Sequence, residues 1–417
     1  MDPIVVRRSG PLSGTVRVPG AKNSVLKLIA ATLLADGTHR ITNVPGIADV
    51  GIMAELIEAL GIRCQPPVDG VMTLHNSGVI TPVAPYELVE RIRASIVVLG
   101  PLLARFGWAK VSLPGGDDFG SRPIDMHLKA LEAMGVEFTI SHGFVEARVD
   151  VLRGADITLP YPSVGATENV VMAAVLAKGT TVLDNAAREP EIADLCHALV
   201  GMGAKIEGIG LSTLTIHGVP ADELRPMDHH VVADRIQAAT YIAAVGVCGG
   251  EVFVDEARVE HMETVVDRFV EMGMIIVPQE GGGLLASAPH RLTAVDVATL
   301  PYPGIATDYK PLLVTMLTVA DGVGIVTENL YPGRFRYVEE LQRLGADIRT
   351  DGHHAVVRGR LALSGAPVRA VDIRAGAALL VAGLAADGET RISDTFHIER
   401  GYEDLVGRLS SIGADIS

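Results

Sequence analysis

The sequence has few of the features that mark secreted, membrane or zinc-binding proteins. Its three cysteines, Cys64, Cys196 and Cys248, lie far apart without a CxxC pair, which indicates a reducing compartment and argues against a zinc site. No apolar run reaches the roughly 18 to 20 residues that span a bilayer, since Lys27 interrupts SVLKLIAATLLA. The N-terminus MDPIVVRRSG lacks the apolar core of a signal peptide, so we expect a cytoplasmic protein.

Positive charge and aromatic residues are also scarce. The chain has 35 Lys and Arg against 50 Asp and Glu, a formal net charge of −15 with no basic block, which disfavours general binding to nucleic acid or to a membrane surface. Only 4 % of the residues are aromatic, whereas 48 % are hydrophobic. At 417 residues the chain can bury large cores in two or three domains. An acidic protein that handles an anionic substrate must gather its few cations locally.

A unit of about 70 residues recurs six times along the chain. One marker is a hydrophobic–Gly–hydrophobic turn, as in ALGIRC and RLGADI, with its glycine at Gly61, Gly135, Gly203, Gly273, Gly345 and Gly413. A second glycine ends an Ala- and Leu-rich helix at Gly37, Gly107, Gly179, Gly250, Gly322 and Gly388. Two independent markers that share one period predict a repeated supersecondary unit.

Each unit is predicted to contain an apolar helix, a glycine stop, a strand, an amphipathic helix and closing strands. The first helix is apolar on nearly every side, so it should be enclosed by the other units of its domain. Six units are too many for one core, and the segment GVPADELRPMDHHVVADR between units three and four favours a division into three and three. An open solenoid is less favoured because the units lack terminal caps.

Cations recur where the apolar helices begin. Lys22, Arg93, Arg235 and Arg374 lie at or just before such a start, where the helix dipole makes a cation unfavourable by up to about 1 kcal/mol. Helix N-termini together with Lys and Arg favour an anion-binding site. The alternative is that each cation neutralises a nearby acid. Asp308, also at a helix start, is interpreted either as a helix cap or as a general base.

Several motifs resemble those of a known family. They are GAKNSVLKLIAATLLADG, PGGDDFGSRPIDMH, PSVGATENVVMAAVLA, TDYKP, RFRYVEELQRLGAD and FHIERGYE, and they are similar to the UDP-N-acetylglucosamine 1-carboxyvinyltransferase family of enolpyruvyl transferases. The resemblance implies an α/β fold, the two-domain inside-out α/β barrel, with six repeated βαβαββ-type units. One domain would comprise residues 22–231 and the other residues 1–21 and 232–417, with the active site in the cleft between them.

The resemblance also implies a reaction. The enolpyruvyl group of phosphoenolpyruvate (PEP) moves to the 3-OH of UDP-N-acetylglucosamine (UDP-GlcNAc) and phosphate is released. This is the first committed step of peptidoglycan synthesis, and hence serves cell-wall biogenesis, cell shape and cell division. No metal or organic cofactor is implied. The partners would be the two substrates, without nucleic acid or membrane, and the protein would be a monomer or a weak homo-oligomer.

Site residues follow from the resemblance position by position. The implied catalytic residues are Lys22, Asp117, Asp308, Asp372 and Arg400. The PEP-binding cations are Lys22, Arg122 and Arg400, with Arg93 and Arg374 completing the positive pocket. The contacts to the sugar are Asn23, Asp308, Leu330 and Arg334. The uridine and diphosphate contacts are Arg122, Pro123, Ile124, Asp125, Met126, Ser163, Val164 and Gly165.

The loop LPGGDDFGSRPIDMH departs from the family at one position. Most members carry a cysteine, the usual proton donor and the residue alkylated by fosfomycin, where this chain has Asp117. A carboxylic acid can donate a proton if burial or the neighbouring Asp118 raises its pKa, whereas the cations that hold PEP oppose that shift. We interpret Asp117 as the general acid and expect resistance to fosfomycin; the alternative is a solvated loop charge.

Other interpretations stay open. One is a paralogous enolpyruvyl transferase that acts on another nucleotide or on 3-phosphoshikimate. Another is a non-catalytic nucleotide-sugar binding protein in which the change to Asp117 accompanied loss of catalysis. Lysines of many family members are replaced by Ala48 and around Tyr161, which removes positive charge near the implied diphosphate contacts.

Overall fold

The computed structural model describes residues 2–115 and 123–417. Within these ranges the chain forms two compact units. The central unit comprises residues 20–115 and 123–232, and the terminal unit comprises residues 2–19 and 233–417. In the described ranges no helix is both long and apolar enough to cross a membrane.

The chain begins with two strands of the terminal unit, β1 (Ile4–Arg7) and β2 (Leu12–Arg17). The helices of the central unit are α1 (Lys22–Ala31), α2 (Ala48–Leu60), α3 (Tyr86–Val89), α4 (Leu99–Phe106), α5 (Asp125–Ala133), α6 (Val164–Ala174) and α7 (Pro190–Met202). Its strands are β3 (Gly37–Thr42), β4 (Arg63–Val68), β5 (Val71–Asn76), β6 (Val83–Ala84), β7 (Trp108–Ser112), β8 (Glu137–Ser141), β9 (Phe144–Arg148), β10 (Asp156–Thr158), β11 (Thr180–Asp184), β12 (Lys205–Glu207), β13 (Thr213–His217) and β14 (Asp228–His230).

The remaining elements belong to the terminal unit. Its helices are α8 (Arg235–Cys248), α9 (Glu263–Glu271), α10 (Lys310–Val319), α11 (Val338–Arg343), α12 (Ile373–Leu384), α13 (Phe396–Glu399) and α14 (Leu405–Ser411). Its strands are β15 (Gly250–Asp255), β16 (Ile275–Pro278), β17 (Leu284–Ala288), β18 (Val297–Ala298), β19 (Val323–Thr327), β20 (Asp347–Asp351), β21 (His354–Arg358), β22 (Leu363–Ser364), β23 (Pro367–Arg369), β24 (Ala386–Asp387) and β25 (Glu389–Ser393). Short 3₁₀ helices span Thr32–Leu34, Arg93–Val98, Ala221–Glu223 and Val259–His261.

The sheets repeat one plan, which confirms the repeat predicted from the glycines. Five four-stranded sheets have the orders β14-β3-β5-β4, β6-β7-β9-β8, β10-β11-β13-β12, β16-β17-β15-β2 and β18-β19-β21-β20. In each of them one pair is parallel and two pairs are antiparallel. A three-stranded sheet, β1-β25-β23, keeps the parallel pair and one antiparallel pair, and β22 and β24 form a separate parallel pair. All twelve marker glycines have positive φ, as expected where a side chain would be strained.

Each unit buries the apolar helices that the sequence predicts to be enclosed. In the terminal unit, every residue of α12 is buried, and α8 is buried from Arg235 to Gly246. In the central unit, α4 packs on α6 so closely that a Cβ added to Gly100 would lie 2.4 Å from the Asn169 carbonyl oxygen. The starts of these helices therefore occupy fixed positions in each core.

Candidate functional site

The first cluster of the central unit lies at the start of α1. Lys22 is the first residue of that helix, and its Nζ is 2.9 Å from Asp49 Oδ2 near the start of α2. Both side chains are largely buried. Asn23 follows at a half-buried position, and no side chain caps the helix. The positive end of α1 therefore carries an ammonium group that pairs with the buried carboxylate of Asp49.

A second ion pair lies one helical turn further along α1. Lys27 donates to the Asn23 carbonyl oxygen at 2.7 Å and lies 3.4 Å from Glu168 Oε1 on α6. Burial raises the pKa of Glu168 to about 7, although Lys27 opposes that shift. The pair fixes the backbone at Asn23 from within the core.

The second cluster gathers the segments that the resemblance assigns to the nucleotide. Arg93 begins a 3₁₀ helix, and its guanidinium donates to the carbonyl oxygens of Pro114 and Pro123, each at 3.4 Å. Pro123 and Asp125 are exposed, Met126 is half-buried and Ile124 is buried. Asp117 and Arg122 lie outside the described residues.

His127 brings this segment against the turn that begins α6. A Cβ added to Gly165 would lie 2.9 Å from His127 Cε1, so the imidazole packs on the bare glycine backbone. Asn169 donates its side-chain amide to His127 Nδ1 at 2.8 Å. Burial, and then Arg93, lower the pKa of His127 to about 4. Ser163 caps α6 by accepting from the Ala166 N–H at 3.4 Å.

In the terminal unit the cluster centres on Asp308. Arg334 donates Nη1–H to Asp308 Oδ1 at 2.7 Å, and Arg374 donates Nε–H to Asp308 Oδ2 at 3.1 Å. Both guanidinium side chains are only 4 % exposed. The capping interpretation of Asp308 is wrong, because Tyr309 is the N-cap residue of α10 and no side chain caps that helix.

The charges around Asp308 determine its proton affinity. Burial alone would raise the pKa of Asp308, but Arg334 and Arg374 hold it well below its usual range. As it stands the carboxylate is ionised and a weak base. The three side chains together carry one net positive charge. The alternative that each cation at a helix start neutralises a nearby acid therefore holds for Lys22, which pairs with Asp49, and for Arg374, which pairs with Asp308. Arg374 nevertheless belongs to a cluster whose net charge is positive.

Two aspartates cap neighbouring helices. Asp372 Oδ1 accepts the backbone N–H groups of Arg374 and Ala375, each at 2.8 Å, at the start of α12. Asp234 caps α8 in the same way. The caps fix the directions in which Arg374 and Arg235 leave their helices, and Arg235 donates Nη1–H to the Tyr309 hydroxyl at 3.1 Å.

Two more of the expected residues lie in the terminal unit. Arg400 is buried at the end of α13, and Leu330 is half-buried in the turn after β19. Among the described residues no group of His, Cys, Asp or Glu side chains has the arrangement of a metal site.

Comparisons with known proteins identify the family. The model of the EPSP synthase (3-phosphoshikimate 1-carboxyvinyltransferase) family matches residues 6–409. A UDP-N-acetylglucosamine 1-carboxyvinyltransferase of Corynebacterium jeikeium is 49 % identical over 416 residues, which is all of this chain and 98 % of that protein. The protein of the same name in Myxococcus xanthus is 47 % identical over 418 residues, covering 100 % and 99 % of the two chains. The chain belongs to the UDP-N-acetylglucosamine 1-carboxyvinyltransferase family.

Solved structures agree with this assignment of the fold. The enolpyruvyl transferase NikO from Streptomyces tendae is 27 % identical, with a TM-score of 0.88 over 100 % of this chain and 98 % of that chain. EPSP synthase from Acinetobacter baumannii has a TM-score of 0.77 at 18 % identity, covering 100 % of this chain and 99 % of that chain, which supports the fold alone. The expected α/β fold of the carboxyvinyltransferase family is thereby confirmed.

Three features of this family member were missed by reasoning from the sequence. Asp49 contacts Lys22 and His127 packs on Gly165, both predicted site residues. Lys310 forms a buried ion pair with Glu328, their Nζ and Oε2 atoms 3.0 Å apart. A signal existed for Lys310, because it begins α10 as Lys22 begins α1. His127 ends the quoted motif GSRPIDMH, but a lone histidine in a motif does not reveal which chain segments it joins.

Proposed function

We propose that this protein transfers the enolpyruvyl group of PEP to the 3-OH of UDP-GlcNAc and releases phosphate. The observation that carries the proposal is the full-length identity of 47 to 49 % with relatives that bear the name of this activity. Lys22 at the start of α1 and Arg374 at the start of α12 also support it, because both substrates are anions and cations at helix N-termini favour anion binding.

The chemistry needs an acid, a base and cations. Protonation of the PEP methylene carbon makes the adjacent carbon electrophilic, the sugar hydroxyl adds to it, and elimination of phosphate follows. In our proposal Asp117 supplies the proton, and Lys22, Arg122 and Arg400 hold the carboxylate and phosphate of PEP. Arg93 and Arg374 add positive charge.

The acceptor hydroxyl is assigned to Asn23 and Asp308. Asp308 gains proton affinity if an anionic substrate draws Arg374 away from it while Arg334 stays in place, because the Arg374 guanidinium lowers its pKa. Substrate binding and activation of the base are then a single event. Asp372 orients Arg374 through the helix cap, and Leu330 lines the sugar side. The turn Ser163–Gly165 and residues 123–126 contact the uridine and diphosphate.

The wider role follows from the reaction. We place the enzyme in peptidoglycan synthesis, and so in cell-wall biogenesis and cell division, in the cytoplasm that its cysteine usage favours. Resistance to fosfomycin belongs to the same proposal, because a carboxylate at residue 117 is a poorer nucleophile toward an epoxide than a thiolate.

One assay tests the proposal against its alternatives. Phosphate release from PEP is measured with UDP-GlcNAc, 3-phosphoshikimate or UMP as the acceptor. We expect phosphate release from PEP when UDP-GlcNAc is the acceptor and none with the other two acceptors. Release with 3-phosphoshikimate or UMP instead would identify a paralogous transferase. Binding of UDP-GlcNAc without any turnover would identify a non-catalytic nucleotide-sugar binding protein.

A further inference from the structure

A fully buried carboxylate, that of Glu328, lies behind the Asp308 cluster in the terminal unit. Its Oε1 accepts from the Thr299 hydroxyl at 2.6 Å and from the backbone N–H groups of Leu330 and Tyr331 at 2.8 and 3.1 Å. These contacts join the end of β18 to the turn after β19. Since Leu330 and Tyr331 precede Arg334 in that turn, the carboxylate fixes the route of the chain toward Arg334.

The other oxygen of Glu328 faces the start of α10. Its Oε2 accepts from the Thr307 hydroxyl at 2.7 Å and lies 3.0 Å from Lys310 Nζ, and neither charged side chain has any exposed surface. A carboxylate that satisfies five donors cannot rotate without breaking several of these bonds at once. It therefore acts as a rigid acceptor toward the residues on either side of Asp308.

The Thr307 hydroxyl transmits this constraint to the site. It donates to Glu328, and it accepts from Arg334 Nη1 at 3.2 Å. The same Nη1 donates to Asp308 Oδ1 at 2.7 Å. A hydroxyl has one hydrogen, so while Glu328 accepts it, the lone pairs of the oxygen face Arg334. Without Glu328 the hydroxyl has no fixed acceptor for its hydrogen, and its oxygen is held less firmly in the position where it accepts from Arg334.

Lys310 holds the same arginine by its backbone. Its ammonium group donates to the Arg334 carbonyl oxygen and lies 3.9 Å above the centre of the Phe335 ring. Arg334 is thus fixed at its main chain by Lys310 and at its guanidinium by Thr307, and both of these residues are fixed by Glu328. Buried ion pairs stabilise a fold weakly compared with apolar packing, so a role in packing alone does not account for this one.

We propose that Glu328 and Thr307 are positioning residues that set the Arg334 guanidinium against Asp308 for reaction at the acceptor hydroxyl. The inference rests on the proposed function, because Asp308 is the base only in that reaction. Neither residue contacts the substrate in this account; both act through Arg334.

Conservative variants of Thr307 provide the test. Thr307→Val keeps the shape of the side chain and removes the hydroxyl. We expect kcat for enolpyruvyl transfer to fall about tenfold or more, because Arg334 and Asp308 are then misaligned. The KM for PEP should stay within about twofold, because Thr307 contacts Glu328 and Arg334, neither of which is assigned to PEP. Thr307→Ser restores the hydroxyl and should recover most of kcat.

Thr318→Val is the matched control. Thr318 is a fully buried threonine of the same unit that donates to the Thr315 carbonyl oxygen at 2.6 Å within α10. Its loss removes one buried hydroxyl without touching the Asp308 cluster. We expect a similar fall in melting temperature for both valine variants, with kcat unchanged only in Thr318→Val.

Glu328→Gln tests the origin of the effect. Both oxygens of Glu328 accept hydrogen bonds, so the NH₂ group of a glutamine faces donors in either orientation of the amide. Lys310 also loses the negative charge that pairs with it. If the variant folds, its kcat should fall at least as far as that of Thr307→Val, and the double variant should lose less than the two single losses combined.

The outcomes separate this inference from the function on which it rests. A wild-type enzyme that releases no phosphate overturns the proposed function and the inference with it. An active wild type together with a fully active Thr307→Val overturns the inference alone. Equal losses of kcat in Thr307→Val and Thr318→Val, or a failure of Thr307→Ser to recover activity, also overturn it.

Discussion

At the scale of single residues, the carboxylates of the half-buried Asp308 and the buried Glu168 have opposite environments. Asp308 lies between two guanidiniums that lower its pKa, whereas burial raises the pKa of Glu168 to about 7 despite its nearby lysine. Asp308 contacts two cations, whereas Glu168 has Lys27 beside it and the nearby Glu189 and Glu191 raise its pKa further. A carboxylate with a lowered pKa becomes a better proton acceptor once one of those cations, here Arg374, is drawn to the substrate.

Replacing Asp308 by Asn tests its role as the base. The amide keeps the size of the side chain and removes the proton acceptor, so we expect kcat to fall by about 10² to 10⁴, measured as phosphate release at saturating substrates. Asp347→Asn is the control, because Asp347 is a partly exposed carboxylate of the same unit that pairs with Arg358 and Arg360. Wild-type turnover in Asp308→Asn would remove Asp308 from the mechanism.

The acid at residue 117 is tested by two substitutions. Asp117→Ala should lower turnover about a hundredfold or more, because no acid then reaches PEP. Asp117→Cys should retain turnover and become sensitive to fosfomycin, since a thiolate attacks the epoxide readily. Mass spectrometry of the treated proteins should show an adduct only in the cysteine variant. Undiminished turnover in Asp117→Ala, or an adduct on the wild-type residue, would contradict the assignment.

At the scale of helices and strands, much of the fold could be predicted but few of the contacts. The repeat, the glycine stops and the enclosed helices are local patterns, and the structure confirms them. The segments TDYK and VDIR look alike in the sequence, yet Asp372 caps its helix and Asp308 does not. The α10 helix begins one residue later relative to its aspartate, and two distant arginines take the carboxylate. Partners this far apart in the sequence leave no local signal.

The contact between α5 and α6 should make stability depend on pH through His127. Its folded pKa of about 4 lies below the ordinary value of 6.5 because burial, and then Arg93, lower it, while Asp125 opposes the shift. Between these values the unfolded chain binds more protons, so stability is lost as pH falls from about 7 to 4, by up to about 3 kcal/mol. Urea unfolding of wild type and His127→Gln across this range should show a smaller loss in the variant. Parallel curves would exclude His127 as the cause.

The close packing of α4 on α6 is tested by a pair of glycines. Gly100→Ala places a Cβ against the Asn169 carbonyl oxygen, and we expect a loss of about 1 to 3 kcal/mol in the free energy of unfolding. Gly51 lies in α2 with no atom within 4 Å of an added Cβ. Gly51→Ala should therefore stabilise by up to about 1 kcal/mol. Chemical denaturation of both variants measures the contrast, and equal effects would mean that the helices can separate without cost.

At the scale of the whole molecule, an acidic chain places several of its cations at helix starts. The net charge is −15, yet Lys22 and Arg374 lie at helix N-termini, where dipole and side chain have the same sign. A cation at this position destabilises the isolated helix, but it strengthens the binding of an anion. The architecture accommodates it because burial in each core holds both helices, and α12 also has the Asp372 cap, whereas no side chain caps α1.

The strand order also predicts where the chain can be cut. Residues 20–232 are continuous in sequence, and β14 from their end completes the sheet of β3 by a parallel pairing at Asp228–His230. A fragment of residues 20–232 should therefore fold alone and unfold cooperatively in a circular dichroism melt.

A fragment that ends at residue 226 is the matched control for that experiment. It lacks β14 and the buried side chains of Met227 and Val231, whose transfer to water costs about 3 to 6 kcal/mol. This is a large part of the stability of a domain, so the shorter fragment should melt at a much lower temperature and lose the slow amide exchange of β3. Equal melting of the two fragments would show that β14 is dispensable, and an unfolded longer fragment would show that the central unit depends on the rest of the chain.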